Sequence, residues 1–408
     1  MAMKLTIKEH SPGITDVPGF SASGVACDIR GTGDDRLDLG IILSETPCAG
    51  AGVFTQNDVC AAPVRYCKSL LSPTQAFHGI VVNSGNANAC TGEQGEKDSV
   101  IMADRTREAL SLPPKSVFVA STGRIGRALP MPKIEKGIRE AAMRMTRDSA
   151  GGHDFARSIL TSDTQPKTVT VRIESGEQRY TVAGVAKGAG MIEPNMATML
   201  AFIATDIAVP QATLHASLNR AVHGSFNRIS VDGDMSTNDT VILLANGTSG
   251  GAVSDNADLL DAFHKAVGEV SNRLARMIVS DGERINHVVD LHVKGAKTEE
   301  DAEKVARAIG NSLLVKTSWY GNDPNWGRIV DAAGYARVGL DYNKLNLHYG
   351  EIPVLVNGTP AEENLPQWKA EVSNREFTIN LDLGMGKADY KLLTADLTEG
   401  YVDFNKSE

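Results

Sequence analysis

No apolar run in this chain is long enough to cross a membrane as a helix. The longest, MLAFIATDIAVP at 199–210, is too short and carries Asp206. The opening residues MAMKLTIKEHSPGITDVPG lack the apolar stretch of a secretory leader. Basic charge is not concentrated anywhere, and the formal net charge of −9 argues against a nucleic-acid or anionic-membrane partner. Cysteine is scarce: Cys27, Cys48, Cys60, Cys67 and Cys90 make an odd number with no CxxC pair. That pattern speaks against a disulfide framework and a zinc site, and for reduced thiols in a cytoplasmic protein.

Several familiar chemistries are also missing. The chain has no GxxxxGK[ST], no HExxH and no GxSxG. Its GAG at 188–190 continues as MIE, so the third glycine of a dinucleotide fingerprint is absent. The histidines are scattered, with His287 and His292 the nearest to a cluster, and read as ordinary surface or core residues. No metal is expected.

What is present is an ordinary soluble composition, 42% hydrophobic and 22% charged over 408 residues, with 39 glycines grouped in short turn-like clusters. Short β-like runs fall at 25–29, 37–45, 52–55, 79–85 and 116–122. Helical spacing follows at 96–112 and 131–145, then at 211–226, 259–279 and 299–315. TVTVRIESGEQRYTVAGVAKG (168–188) reads as a hairpin around Ser-Gly-Glu, and the tail returns to strands at 345–358, 376–384 and 388–398. This mixture predicts an α+β fold of stacked layers, intertwined into one body.

Three clusters carry chemical interest. NSGNANACTG (83–92) and STGRIG (121–126) each follow an apolar strand, and such loops can aim a hydroxyl and backbone N–H groups at a developing oxyanion. Read from the residues alone, they are ordinary strand-ending turns. SVDGDMSTNDT (230–240) superficially resembles a calcium loop but misses the EF-hand Gly and Glu positions, so it reads as a hydrogen-bonded turn. In KGAGMIEPNMATML (187–200), Thr198 follows Ala197 downstream of a Lys-Gly-x-Gly turn. A threonine in an apolar run is ordinarily a strand residue. A small residue before a hydroxyl residue is also the pattern of a self-processing junction, and cleavage there would join nucleophile and base in one residue.

Read together, these segments resemble the ornithine acetyltransferase family, the glutamate N-acetyltransferases of arginine biosynthesis. The matching stretches are GVFTQNDVCAAPV (52–64), NSGNANACTG, STGRIG, LTSDTQPK (160–167), KGAGMIEPNMATML, SVDGDMSTNDT, GNDPNWGRIV (321–330) and LTEGYVDFN (397–405). The resemblance implies a layered α/β sandwich with N-terminal-nucleophile chemistry. It implies self-cleavage between Ala197 and Thr198, giving an α chain (1–197) and a β chain (198–408) that stay together, as α2β2. It assigns Thr198 as nucleophile, Thr122 and Gly123 to the oxyanion hole, and Thr161, Lys187, Thr198, Glu283 and Asn405 to substrate. No cofactor is implied beyond acetyl-CoA as a co-substrate; the partners are small amino-acid substrates.

The chain departs from the family after SDGE, reading SDGERINHVV at 280–289 where a Gly-Ala-Thr-Lys-like run is usual. That motivates one alternative, an N-terminal-threonine amidohydrolase or peptidase that uses water or a different N-acyl amino acid. A separate alternative, of a different class, is a non-catalytic or metabolite-sensing relative in which Thr198 is never released.

Overall fold

The computed structural model describes residues 3–72, 74–193 and 199–406. They form two compact units, each drawing on separated stretches of chain. Unit 1 comprises Met1–Gly188, Pro194–Asn227 and Met235–Ile278; unit 2 comprises Ala189–Glu193, Arg228–Asp234 and Val279–Glu408.

Unit 1 is organised by one long strand. β1 (Lys4–Glu9) and β2 (Phe20–Val25) precede β3 (Leu39–Phe54), followed by β4 (Phe77–Asn86), β5 (Val117–Arg124), β6 (Lys167–Ser175), β7 (Gln178–Lys187), β8 (Leu200–Thr205) and β9 (Thr240–Ala245). The order is β1-β6-β7-β8-β9-β3-β4-β5, with β2 also on β3. The first part of β3, Leu39–Leu43, pairs with β2 and β4, and its second part, Ala49–Phe54, pairs with β9. Between Leu43 and Cys48 the register slips, the signature of a bulge, which lets one strand serve two sheets. The expectation of separate strands at 37–45 and 52–55 is corrected here: the polar Glu45-Thr46-Pro47 insert marks the bulge, not a break.

The apolar alternation of each strand decides the layers. In β4, Val81 joins a core with Val117 and Val119 against Met102, Ala103, Ile134 and Ile138 of α2 (Gly92–Ala109) and α3 (Met131–Met143). Its neighbours Ile80 and Val82 join a second core with Phe118, Phe202, Ile242 and Leu244. That core also takes Val64, Cys67 and Leu70 from α1 (Ala62–Leu70) and Phe155 from α4 (Ser149–Ser158). β8 and β9 are buried at every position, which fits strands covered on both faces. After α5 (Gln211–Gly224), α6 (Ala257–Ser280) covers the outer face. Asn256 starts α6 by accepting the Leu259 N–H at 3.0 Å. The helix then buries Leu259, Phe263, Val267, Val270, Leu274 and Ile278 along one stripe. It lies so near β7 that a Cβ at Gly184 would stand 2.6 Å from Val270 Cγ1. Unit 1 is thus a layered α/β body built around the bent strand β3.

Unit 2 contains β10 (Val288–Ala296), β11 (Asn346–Tyr349), β12 (Ile352–Val356), β13 (Thr359–Pro360), β14 (Glu376–Asp382) and β15 (Ala388–Ala395), in the order β13-β12-β11-β14-β10-β15. Among these strands β10 and β14 run parallel and the other pairs antiparallel. The helix expected over 299–315 is two helices, α7 (Glu299–Gly310) and α8 (Leu313–Tyr320). Thr298 caps the first by accepting the Asp301 N–H, and Ser312 restarts the second by accepting the Val315 N–H. Ala302, Val305, Ala306 and Ile309 of α7 enter a core with Val289, Leu291 and Leu392. α9 (Trp326–Tyr335), α10 (Leu365–Val372) and the short α11 (Glu399–Asn405) complete the unit.

Candidate active site

The two loop clusters singled out in the sequence meet at the ends of the parallel strands β4 and β5. Asn83 pairs with Ser121, Ser84 with Thr122 and Gly85 with Gly123. The crevice beyond the carboxyl ends of parallel strands is the general place for ligands in open α/β sheets.

The asparagines of 83–92 hold this place in shape. Asn83 Nδ2 donates to the Asn86 carbonyl at 2.9 Å, and Asn86 Nδ2 donates to the carbonyls of Arg127 and Ala128 at 3.1 Å each. Asn88 Nδ2 donates to the Gly95 carbonyl and to Ser99 Oγ, both at 3.0 Å. These amides are committed to the protein itself, so the cluster is scaffolding. The neighbouring loop carries the chemistry. Thr122 is buried, while Gly123 is exposed with φ of 131°. A Cβ at Gly123 would stand 2.4 Å from the Gly85 carbonyl carbon, so the two strand ends touch only because the residue is glycine.

Lys187, the last residue of β7, reaches this loop. Its Nζ lies 3.4 Å from Thr122 Oγ1, and its side chain is almost entirely buried. Asp163 lies beside it with no side-chain exposure. Its Oδ1 accepts from Lys167 Nζ at 2.7 Å and from the Gly188 N–H at 2.6 Å. Its Oδ2 accepts from the Thr161 N–H at 3.0 Å and lies 3.9 Å from Lys187 Nζ. Burial alone would raise this carboxyl, but the ammonium groups of Lys167 and Lys187 and these hydrogen bonds hold it well below the usual carboxylate range. Of the residues expected in the site, Thr161 and Lys187 therefore lie beside one buried carboxylate, and Lys187 links it to Thr122, the neighbour of Gly123.

Ala197 and Thr198 lie outside the described residues. Their downstream neighbours are well placed. Leu200, the first residue of β8, pairs with Lys187, and the Met199 N–H donates to Asp239 Oδ1 at 2.9 Å. Asp239 is fully buried, and its Oδ2 has no hydrogen-bond partner among the described residues. Burial pushes this carboxyl well up, against the pull of the Met199 N–H and the Lys187 charge.

In unit 2, Glu283 and Asn405 meet: Asn405 Nδ2 donates to Glu283 Oε2 at 3.0 Å. The Glu283 N–H is anchored on the Ala189 carbonyl at 3.0 Å. Gly190 leaves room for the Glu283 carboxylate, since a Cβ there would stand 2.3 Å from Glu283 Cδ. Asp232 of the 230–240 cluster accepts the N–H groups of Met191 (2.6 Å) and Ile192 (2.8 Å), and Tyr401 OH donates to it at 3.3 Å. The hydrogen-bonded turn expected over 230–240 is present and includes this clamp.

Sequence reasoning passed over Asp163 and Asp239. Asp163 sits four residues before Lys167 inside LTSDTQPK, and Asp239 immediately precedes the wholly buried β9. A carboxylate abutting an apolar run was the available sign in the second case.

Among proteins of known family, a model of the ArgJ family matches residues 21–407. The arginine biosynthesis bifunctional protein ArgJ of Thermotoga neapolitana is 44% identical over 393 residues, covering 95% of this chain and 98% of that protein. The protein of the same name from Symbiobacterium thermophilum is 42% identical over 396 residues, covering 97% and 98%. Among solved structures, ornithine acetyltransferase from Mycobacterium tuberculosis, complexed with ornithine, is 38% identical, covering 47% of this chain and 98% of that one, with a TM-score of 0.44.

Proposed function

The chain belongs to the ArgJ family, and on that footing we propose that it is an N-acetyltransferase of arginine biosynthesis, moving the acetyl group of N-acetylornithine to glutamate. The observation that carries the residue assignment is the register of β7 and β8. Lys187, in contact with Thr122, pairs with Leu200, two residues after Thr198.

In this reading the Thr198 hydroxyl attacks the Ala197 carbonyl, and the resulting N-to-O acyl shift breaks the peptide bond and frees the Thr198 α-amine. Hydrolysis of the ester then releases the upstream chain and restores the hydroxyl. An α-amine has an ordinary pKa of about 7.7–8.0, so a useful share is neutral near neutral pH. It takes the proton from the Thr198 hydroxyl as the oxygen attacks the acetyl carbonyl of N-acetylornithine. The tetrahedral oxyanion meets the Thr122 hydroxyl and the Gly123 N–H. Collapse expels ornithine, which leaves with the proton, and the acetyl group stays as an ester on Thr198. The glutamate amine then attacks that ester and regenerates the free hydroxyl. The family resemblance assigns Thr161, Lys187, Glu283 and Asn405 to substrate: Lys187 is a cation suited to a carboxylate, and Glu283, oriented by Asn405, is suited to an ammonium. Acetyl-CoA serves as a second acetyl donor to the same hydroxyl.

The enzyme acts in the cytoplasm as an α2β2 assembly of its cleaved chains; no helix among the described residues is long and apolar enough to cross a membrane. The test uses purified protein with N-acetylornithine carrying a labelled acetyl group. Label is expected on glutamate, on a protein whose β chain begins at Thr198, and neither cleavage nor transfer in Thr198→Ala. Acetate release that ignores added glutamate would replace this reading with the hydrolytic one. A single uncut chain without activity would replace it with a non-catalytic relative.

A further inference from the structure

We propose that Asp163 is a positioning residue of the oxyanion hole, acting through Lys187 to fix the direction in which the Thr122 hydroxyl donates its proton. This rests on the acyl-transfer reading above and adds a role that the substrate assignment of Lys187 does not contain.

Lys187 Nζ stands 3.4 Å from Thr122 Oγ1. A hydroxyl can donate or accept, but an ammonium can only donate. While Lys187 is charged, Thr122 Oγ1 is therefore the acceptor in this pair, and the single Thr122 proton points elsewhere. Beside Gly123, whose N–H is the companion donor, that proton serves an oxyanion. A hydroxyl that accepts from a cation is also a stronger donor, because hydrogen bonds in a chain polarise one another. A neutral Lys187 would offer a lone pair. The Thr122 proton would then turn toward the amine and leave the oxyanion unserved.

Everything thus depends on Lys187 remaining protonated in a place with almost no solvent. A buried lysine without a counter-charge loses its proton readily. The other carboxyl in the field of Lys187, Asp239, is driven toward its neutral form by burial. Asp163, which also faces Lys167, therefore supplies that charge, and it is built not to move. Its two oxygens accept from the backbone N–H groups of Gly188 and Thr161, and Lys167 closes on Oδ1 at 2.7 Å. Lys187 stands farther off, at 3.9 Å, within reach of the field but beyond a hydrogen bond. The carboxylate therefore stabilises the Lys187 charge without hydrogen-bonding to it.

The deciding experiment is the pH profile of Asp163→Asn, with kcat expressed per cleaved molecule. With its counter-charge gone, Lys187 should deprotonate within the assay range, so the alkaline limb of kcat moves to lower pH. At pH 8.5 kcat should fall at least about tenfold below the parent and recover to within about threefold at pH 6.5. Adding Lys187→Arg to this variant restores a permanent donor-only cation, since a guanidinium keeps its proton, and should return the alkaline limb to the parent position. A uniform loss at all pH values, or a limb that stays shifted in the double variant, overturns the proposal. Where Asp163→Asn does not fold, Lys187→Gln decides in its place. Loss of kcat at steady KM supports the orienting role, whereas a rise in KM at steady kcat makes Lys187 a substrate clamp only. Failure of the acyl-transfer reading itself is seen separately, as absence of labelled transfer in the parent enzyme.

Discussion

The side-chain amide of Asn238 donates to the carbonyl oxygen of Ser121 at 2.9 Å, one peptide before Thr122. The same nitrogen donates to the Ala87 carbonyl at 2.6 Å, so one buried side chain ties the loop after β4 to the end of β5. Asn238→Ala leaves two buried carbonyls without this donor, at a cost of about 2–4 kcal/mol. Denaturant unfolding should register that loss. Because the released peptide leads into Thr122, kcat should fall more than KM changes.

Gly123→Ala tests the meeting of the two strand ends. The added Cβ would press on the backbone of Gly85 and Asn86, at 2.4 and 2.5 Å, with φ at 131°. A loss of about 3 kcal/mol or more is expected. Gly126, in the same loop with φ of 80° and nothing within 4 Å, is the matched control. Its alanine variant should lose only about 1–2 kcal/mol, and comparable melting temperatures for the two variants would count against the close approach.

Asp206 gives stability a pH dependence. Burial raises its carboxyl to about 6, although the Thr181 N–H donates to it at 2.8 Å. With the folded value above the unfolded one, the folded state holds the proton more tightly. Stability is fullest below the unfolded value and declines as pH rises to about 6. Asp206→Asn keeps the acceptor and removes the charge. The variant should match the parent's pH trend near pH 3 and gain on it by about 3 kcal/mol at pH 7.5. Parallel denaturation midpoints across that range would refute the assignment.

Gly190→Ala addresses unit 2. The new methyl group meets only the far end of the Glu283 side chain, which can swing aside. The melting temperature should hardly move. The Asn405–Glu283 hydrogen bond should break, raising KM for the amine-bearing substrate about fivefold or more at similar kcat. An unchanged KM would remove Glu283 from substrate recognition.

Much of this architecture is legible along the chain because it is local. The hairpin of β6 and β7 follows from alternation around Ser175-Gly176-Glu177, and the turns after β4 and β5 from Asn, Gly and Ser content. What escapes is decided by partners remote in sequence. The long β3 reads as two strands until β9 is seen paired with its second half. Asp163 is one acid in the polar stretch LTSDTQPK until the fold buries it beside Lys167 and Lys187. The Asn88 amide reads as available in NSGNANACTG, yet Gly95 and Ser99 engage it. The SLLV run at 312–315 continues the apolar spacing of α7, but Ser312 turns its hydroxyl into a new cap.

The order β7-β8-β9-β3 sets the fate of a nicked molecule. A break between Ala197 and Thr198 leaves β8 and β9 to the downstream fragment, while β7 and β3, hydrogen-bonded on either side of them, belong to the upstream one. Separation of the fragments then requires extracting the middle of a sheet, so dissociation and global unfolding become one event with one rate. Recovery from denaturant turns into a bimolecular reaction, its half-time shortening as protein concentration rises, whereas an uncut chain refolds at a rate blind to concentration.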